Sequence, residues 1–253
     1  MDVPTHSRDN ADASRGAAGR EGRSFLPRSA PAVRIDHSAL RANVESLLLR
    51  TDGEWSVADL RHEARGHGLL VMRTLLALGV DGFLVDEAAL DGLAEQFPEA
   101  ALSAEGQPTL DPAEVFGLPG SAGIPVMRLT GSVLTVKDLR AGEGVSYGFT
   151  HRAPADTRIA LVTGGYAQGI VRALGDRIAV RLGDAHHPVV GRVAMDVCVV
   201  DLGGADAVRG DEVVFFGGDP DDPSLAEWVA HTGLTAEELV TGVGLRVRRD
   251  HVR

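Results

Sequence analysis

Chemistry that runs through an imine needs a primary amine, and this chain has one lysine to offer, Lys137; every other Lys/Arg position is arginine. Lys137 follows Val133-Leu134-Thr135-Val136 and precedes Asp138, a run that reads as a strand end. That setting predicts a solvated lysine, not one in a dry pocket that lowers its pKa. The two tyrosines, Tyr147 and Tyr166, are phenols able to take and return a proton, and both lie in one Gly-rich stretch. Tyr147 sits in Gly142-Glu143-Gly144-Val145-Ser146-Tyr147-Gly148 and Tyr166 in Gly164-Gly165-Tyr166-Ala167-Gln168-Gly169. A third motif follows, Val190-Gly191-Arg192-Val193-Ala194-Met195-Asp196. Other constellations are weak. His62-Glu63 lacks the second histidine four residues on that a zinc-binding helix uses, so no metal site is expected. His186-His187 ahead of Pro188 reads as an exposed hairpin turn, and Cys198, between valines, reads as inert core. Gly164-Gly165 has no following lysine or helix start and is no phosphate loop.

The elements that must carry these residues fall into two patterns. Residues 1–31 are rich in Ser, Gly, Ala, Arg and Asp without apolar period, and are expected to form a disordered tail. From Ala32 to Gly123, short apolar runs alternate with helical spacing: strands at 32–36, 55–60, 81–86 and 101–104, with helices between. This is the βα rhythm of a parallel sheet. At most four such units fit, whereas a closed eight-unit barrel takes at least about 200 residues. Gln107 to Gly123, punctuated by Pro108, Pro112 and Pro119, reads as an irregular linker. From Ile124 to the C-terminus, period-two strands separated by Gly-rich turns predict an antiparallel β domain. The fold class expected is therefore α/β plus all-β: a truncated (β/α) half-barrel over 32–123, then a β-barrel-like domain over 124–253. Asp222-Pro223 should start a helix that Gly233 stops, and Thr235 with Glu238 has the spacing of a capping box.

The three Gly-rich motifs, in their order, resemble the C-terminal domain of alanine racemases, enzymes dependent on pyridoxal phosphate (PLP). The likeness runs from about Ile124 onward. A fainter one precedes it at Leu60-Arg61-His62-Glu63-Ala64-Arg65-Gly66-His67-Gly68, where the family has a lysine followed by Ala-Asp-Ala-Tyr-Gly-His-Gly. The Gly-His-Gly ending sets the register and places Arg61 at the PLP-lysine position and Arg65 at the tyrosine. Guanidinium stays protonated and cannot form an imine. The resemblance implies that Tyr147 corresponds to the family's second catalytic base, reaching into the other subunit of a dimer. It implies that Tyr166 and Met195 line the substrate entrance. Gln168 and Val197 depart from the family's Asp and Gln.

Composition narrows the partners. A formal charge of −11 argues against nucleic acid and anionic membranes. No apolar run approaches the ~20 residues of a membrane span, no secretory signal is evident, and a lone cysteine suits a cytoplasmic location. The expected function is that of an alanine racemase relative unable to racemise alone, a pseudoenzyme with PLP implied by the family but not covalently held. It would act as a homodimer, or as a heterodimer with a full-length alanine racemase that offers Tyr147 in trans. The alternative is a working PLP-dependent racemase supplying D-alanine for the cell wall.

Overall fold

A computed structural model of the chain describes residues 30–146 and 148–253. The expected tail, except for its last two residues, and Tyr147 lie outside the described residues.

The chain enters through β1 (Ala32–Asp36) and turns into α1 (His37–Leu48). Asp36 caps that helix, its carboxylate accepting from the backbone N–H of Ser38 at 2.7 Å and of Ala39 at 3.1 Å. Next come β2 (Val57–Asp59), α2 (Arg61–Arg65), α3 (Val71–Ala77), β3 (Gly82–Leu84), α4 (Leu90–Gln96) and β4 (Ala101–Ser103). Strands β2, β3 and β4 form a three-stranded parallel sheet in that order. This is the βα alternation expected, with shorter strands.

The expected linker is ordered instead. It contains α5 (Pro112–Phe116), started by Asp111 with proline in its first turn and ended by Gly117 at φ +62°. Buried Asn43 of α1 holds this segment. Its amide donates to the carbonyls of Ile124 at 2.8 Å and Val115 at 3.2 Å, and its oxygen accepts from the Ile124 N–H at 2.7 Å. Gly117 is required there, because a β-carbon would lie 1.9 Å from the Ile124 carbonyl oxygen. The backbone of Thr109 and Leu110 donates to Val57 O, so the outer edge of β2 is covered rather than open.

The second half is a closed six-stranded antiparallel barrel. Its strands are β5 (Met127–Leu139), β8 (Thr157–Thr163), β9 (Ala179–Leu182), β10 (Ala185–Val190), β11 (Val197–Gly203) and β12 (Glu212–Phe216). The circuit β12-β9-β10-β11-β8-β5 closes through β5 with β12. A small hairpin of β6 (Gly144–Val145) and β7 (His151–Arg152) stands beside it. Helices α6 (Leu225–Thr232) and α7 (Ala236–Gly244) and a last strand β13 (Arg248–Val252) complete the chain. Gly233 stops α6, but Ser224 rather than Asp222-Pro223 starts it, its hydroxyl accepting from the Ala226 N–H at 3.1 Å. Asp222 is instead taken up by Arg128 and Arg181. Thr235 with Glu238 forms the capping box of α7.

Two strand placements also differ from the sequence reading. β1, read as part of the N-terminal unit, pairs antiparallel with β5 and parallel with β13, extending the C-terminal sheet. His186 and His187 lie within β10, not in a turn; His187 is buried. One large apolar core joins both halves, with Phe83 and Phe116 from the first and Phe215, Phe216 and Trp228 from the second.

Candidate functional site

The turn that follows β2 is backed by a buried carboxylate. Asp59 accepts from Arg61 Nε at 2.9 Å, from Arg61 Nη2 at 2.7 Å and from the Arg61 N–H at 3.1 Å. Arg65 Nη2 donates to the same carboxylate at 3.0 Å, while Arg65 Nη1 reaches Glu237 of α7 at 2.6 Å. Burial alone would raise the Asp59 pKa, but the hydrogen bonds from Arg61 and the charges of Arg65 and Arg61 outweigh it and hold it below its ordinary value. Arg61 is pinned as a cation in return, its pKa raised chiefly by its hydrogen bond to Asp59.

The backbone here is unusual. His62, Glu63, Ala64 and Arg65 all have φ between +52° and +56°, a left-handed turn built from four non-glycine residues. Such geometry costs about 1–2 kcal/mol per residue. Surrounding groups hold it: Asp86 accepts the His62 N–H at 2.7 Å, Glu63 pairs with Arg249 at 3.2 Å, and the buried ring of His67 bonds the Ala64 carbonyl at 3.0 Å. His67 stacks on Phe116 and its pKa falls to about 4, mainly through burial, so it is neutral at pH 7. Gly66 then passes so close to α7 that a β-carbon would meet Val240 O at 2.7 Å.

The other predicted site residues gather on the barrel side of α7. Tyr166 opens a short turn whose backbone is zipped to 194–196. Tyr166 N donates to Ala194 O at 3.0 Å, Ala167 N to Met195 O at 2.9 Å and Gly164 N to Asp196 O at 2.8 Å. Gln168 ties the same two loops, accepting from Gly165 N at 2.9 Å and donating to Asp196 Oδ1 at 2.8 Å. Gly165 permits this approach, since a β-carbon there would lie 2.3 Å from Met195 O. The structure thus brings Tyr166 and Met195 together, both with exposed side chains. Arg172 lies 5.2 Å over the Tyr166 ring. Gly169, ending the turn, sits against Gly242 of α7 much as Gly66 sits against Gly244. One helix therefore spaces the Arg61 turn from the Tyr166 turn.

Tyr147 itself is outside the described residues. The neighbouring Ser146 donates to Arg192 O at 2.9 Å and helps line a cleft of about 430 Å³ with Lys137, Arg192, Ala194, Cys198 and apolar strand residues. Lys137 is exposed, as expected from its strand-end setting. Cys198 is fully buried, and burial pushes its thiol up to about 12, so it is inert. Among the described residues no group of three or more His, Cys, Asp or Glu could hold a metal.

Sequence reasoning missed Asp59 and Glu237. The available signal was a carboxylate inside the apolar run Val57-Ala58-Asp59-Leu60, two residues before a cation, which a half-buried strand rarely carries unpaired. An imine-held PLP requires a neutral primary amine, which the resemblance would place at position 61, just after β2. The residue there is a guanidinium donating to a buried carboxylate, and Lys137 belongs to β5, in the other half of the chain. These residues do not fit a covalently held cofactor.

Comparison with known proteins follows the same division. Residues 126–251 match the family "Alanine racemase, C-terminal domain". The alanine racemase of Mycobacterium tuberculosis is 42% identical over 131 residues, 51% of this chain and 34% of its own length. That of Streptomyces coelicolor is 41% identical over 145 residues, covering 56% and 37% respectively. The chain thus spans about a third of the length of the curated relatives it matches. Among solved structures, alanine racemase from Streptomyces coelicolor aligns with a TM-score of 0.75 at 22% identity, over 89% of this chain and 98% of that one. A structure of the Bartonella henselae enzyme, described as having covalently bound pyridoxal phosphate, aligns with a TM-score of 0.69 at 16% identity. At such identity these likenesses speak for the fold.

Proposed function

Because this chain belongs to the alanine racemase family through its C-terminal domain, residues 126–251, we propose that it is a non-racemising relative acting through association. The observation that carries the reading is the Asp59–Arg61 pair at 2.7 Å. A guanidinium held as a cation by a buried carboxylate offers no lone pair for an imine and no base for proton abstraction. Arg65 is engaged in the same way, shared between Asp59 and Glu237. The N-terminal unit, 32–123 on our reading, is closed by its own side chains, Asn43 and Thr109 among them. That closure favours a folded unit with another use over a damaged barrel.

The surface offered for association lies on the barrel half, where Ser146, Arg192 and Ala194 line the apolar cleft and Tyr166 is tied to Ala194 through its backbone N–H. A second copy of this chain, or a full-length alanine racemase supplying its own PLP and lysine, is the partner we assign to it. Tyr147, next to Ser146, would then be offered across the interface as the proton-carrying phenol, with Tyr166 and Met195 beside the substrate entrance.

Two measurements on the purified chain test this. Incubation with PLP and borohydride followed by peptide mapping should show labelling only of accessible amines such as the exposed Lys137 and none within residues 57–68, and L- and D-alanine should not interconvert. Sedimentation, alone and with a full-length racemase from the same cell, should show a dimer or a mixed complex. An adduct with turnover would establish the working racemase instead, and a strict monomer with no mixed complex would remove the association role.

A further inference from the structure

A cleft of about 660 Å³ lies away from the Tyr166 and Arg61 turns, where the first turn of α1, helix α3 and the end of β13 meet. Its size falls within the about 300–1,000 Å³ of small-molecule sites. The polar side chains lining it are cationic or neutral: His37, Ser38, Arg41, Arg73, Thr74 and His251, without a carboxylate side chain. In a chain of formal charge −11 this is a local reversal of sign. The nearby carboxylates are committed elsewhere. Asp36 caps α1, Asp250 pairs with Arg248 at 2.9 Å, and Glu63 pairs with Arg249. Glu45 is 3.8 Å from Arg41, a long and exposed pair. Arg73 packs on the Phe97 ring at 5.9 Å and has no carboxylate partner among the described residues.

The histidines are built in rather than scattered. His37 Nδ1 is 2.6 Å from Thr74 Oγ1, and His37 Nε2 is 2.8 Å from His251 Nδ1. The chain Thr74–His37–His251 therefore links α3, α1 and β13. When Thr74 donates its hydroxyl proton to His37 Nδ1, His37 donates to His251 Nδ1. His251 then carries its own proton on Nε2 as a donor.

We propose that this cleft binds a phosphate monoester, its phosphoryl oxygens held by Arg41, Arg73 and the His37–His251 pair and its organic part against Leu70, Ala77 and Val252. Arginine forks match phosphate oxygens, and a neutral imidazole N–H and the Ser38 hydroxyl add donors. Burial first, then neighbouring cations, lowers both histidines: Arg253 and Arg41 act on His37, and His37 and Arg249 on His251. Asp36 and Asp250 oppose these effects. A bound dianion cancels the cationic field, so both rings should protonate more readily when the cleft is filled.

The test is titration of the full chain with inorganic phosphate and with phenyl phosphate, followed by calorimetry and by histidine ring NMR. Saturable binding is expected, tighter for phenyl phosphate, with the His37 and His251 signals moving and their titration midpoints rising. Arg73→Gln should weaken binding roughly tenfold, one lost charge-assisted contact, while Arg209→Gln on the barrel half should not. Non-saturable binding, equal loss in the two variants, or unmoved histidine signals with acetate as effective as phosphate would overturn the proposal. None of these readouts depends on racemase chemistry or on a partner, so this site stands or falls apart from the function proposed above.

Discussion

Replacing Asp59 is the most direct test of what holds the turn after β2. The carboxylate is almost wholly buried and receives one backbone and three guanidinium hydrogen bonds. Four consecutive left-handed residues cost about 4–8 kcal/mol in total at about 1–2 each, so the anchors must offset a sum of that order. Asp59→Ala leaves Arg65, itself largely buried, with Glu237 as its one remaining carboxylate, and an uncompensated buried charge costs about 3–5 kcal/mol. Asp59→Asn keeps an acceptor and should lose about 2 kcal/mol. The readout is urea denaturation with amide exchange at Ala64, Gly66 and Gly68, whose N–H groups close this turn on Leu60, His62 and Glu63. The sign with pH follows from the folded-state pKa, which lies below the ordinary value. The carboxylate's contribution is complete above the unfolded value of about 3.9 and disappears as pH falls through the folded one. The gap between wild type and Asp59→Asn should therefore close below about pH 4. Loss under 1 kcal/mol for Asp59→Ala, or a gap that widens on acidification, would refute the assignment of Asp59 as the anchor.

Arg61→Lys places an amine beside the same carboxylate, which keeps it protonated; peptide mapping after borohydride trapping with PLP should still find no adduct at position 61. Asn43→Ala strands the buried Val115 carbonyl and the part-buried N–H and carbonyl of Ile124 and should destabilise by about 1–3 kcal/mol in urea, with faster exchange at Ile124. Gly165→Ala drives a β-carbon into Met195 O and should lower thermal stability by more than 2 kcal/mol, roughly what a forced overlap costs. Asp222→Asn removes the carboxylate that accepts from Arg128 at 2.8 Å and Arg181 at 2.6 Å. It should cost about 3 kcal/mol at pH 7 in the same denaturation assay, with the difference shrinking in acid because Asp222 is also held below its ordinary pKa.

Much of the architecture was legible because it rests on local signals. The apolar run Thr157–Thr163 became strand β8, its Ala160 and Val162 facing the main core and Ile159 and Leu161 a smaller second cluster. The Thr235/Glu238 spacing became a capping box because both bonds lie within one turn. The third Gly-rich motif, Val190–Asp196, became the turn between β10 and β11, where Gly191 takes φ +71°. Helix α5 was missed because three prolines and several glycines suggested irregularity. What orders it is Asn43, distant in sequence, answering the loop's backbone groups.

The sequence by itself determined what this protein lacks and what it resembles: no lysine at position 61, and three motifs in the family's order. Residue identity and local spacing are enough for both. Tertiary structure decided how Arg61 is disposed of, which strand β1 joins, and that α7 separates the Arg61 and Tyr166 turns. It also decided that His37 and His251, at opposite ends of the described chain, share a hydrogen bond. Those outcomes depend on packing between segments far apart in sequence, where buried charges and backbone groups must find partners, and no local pattern records which partner is found.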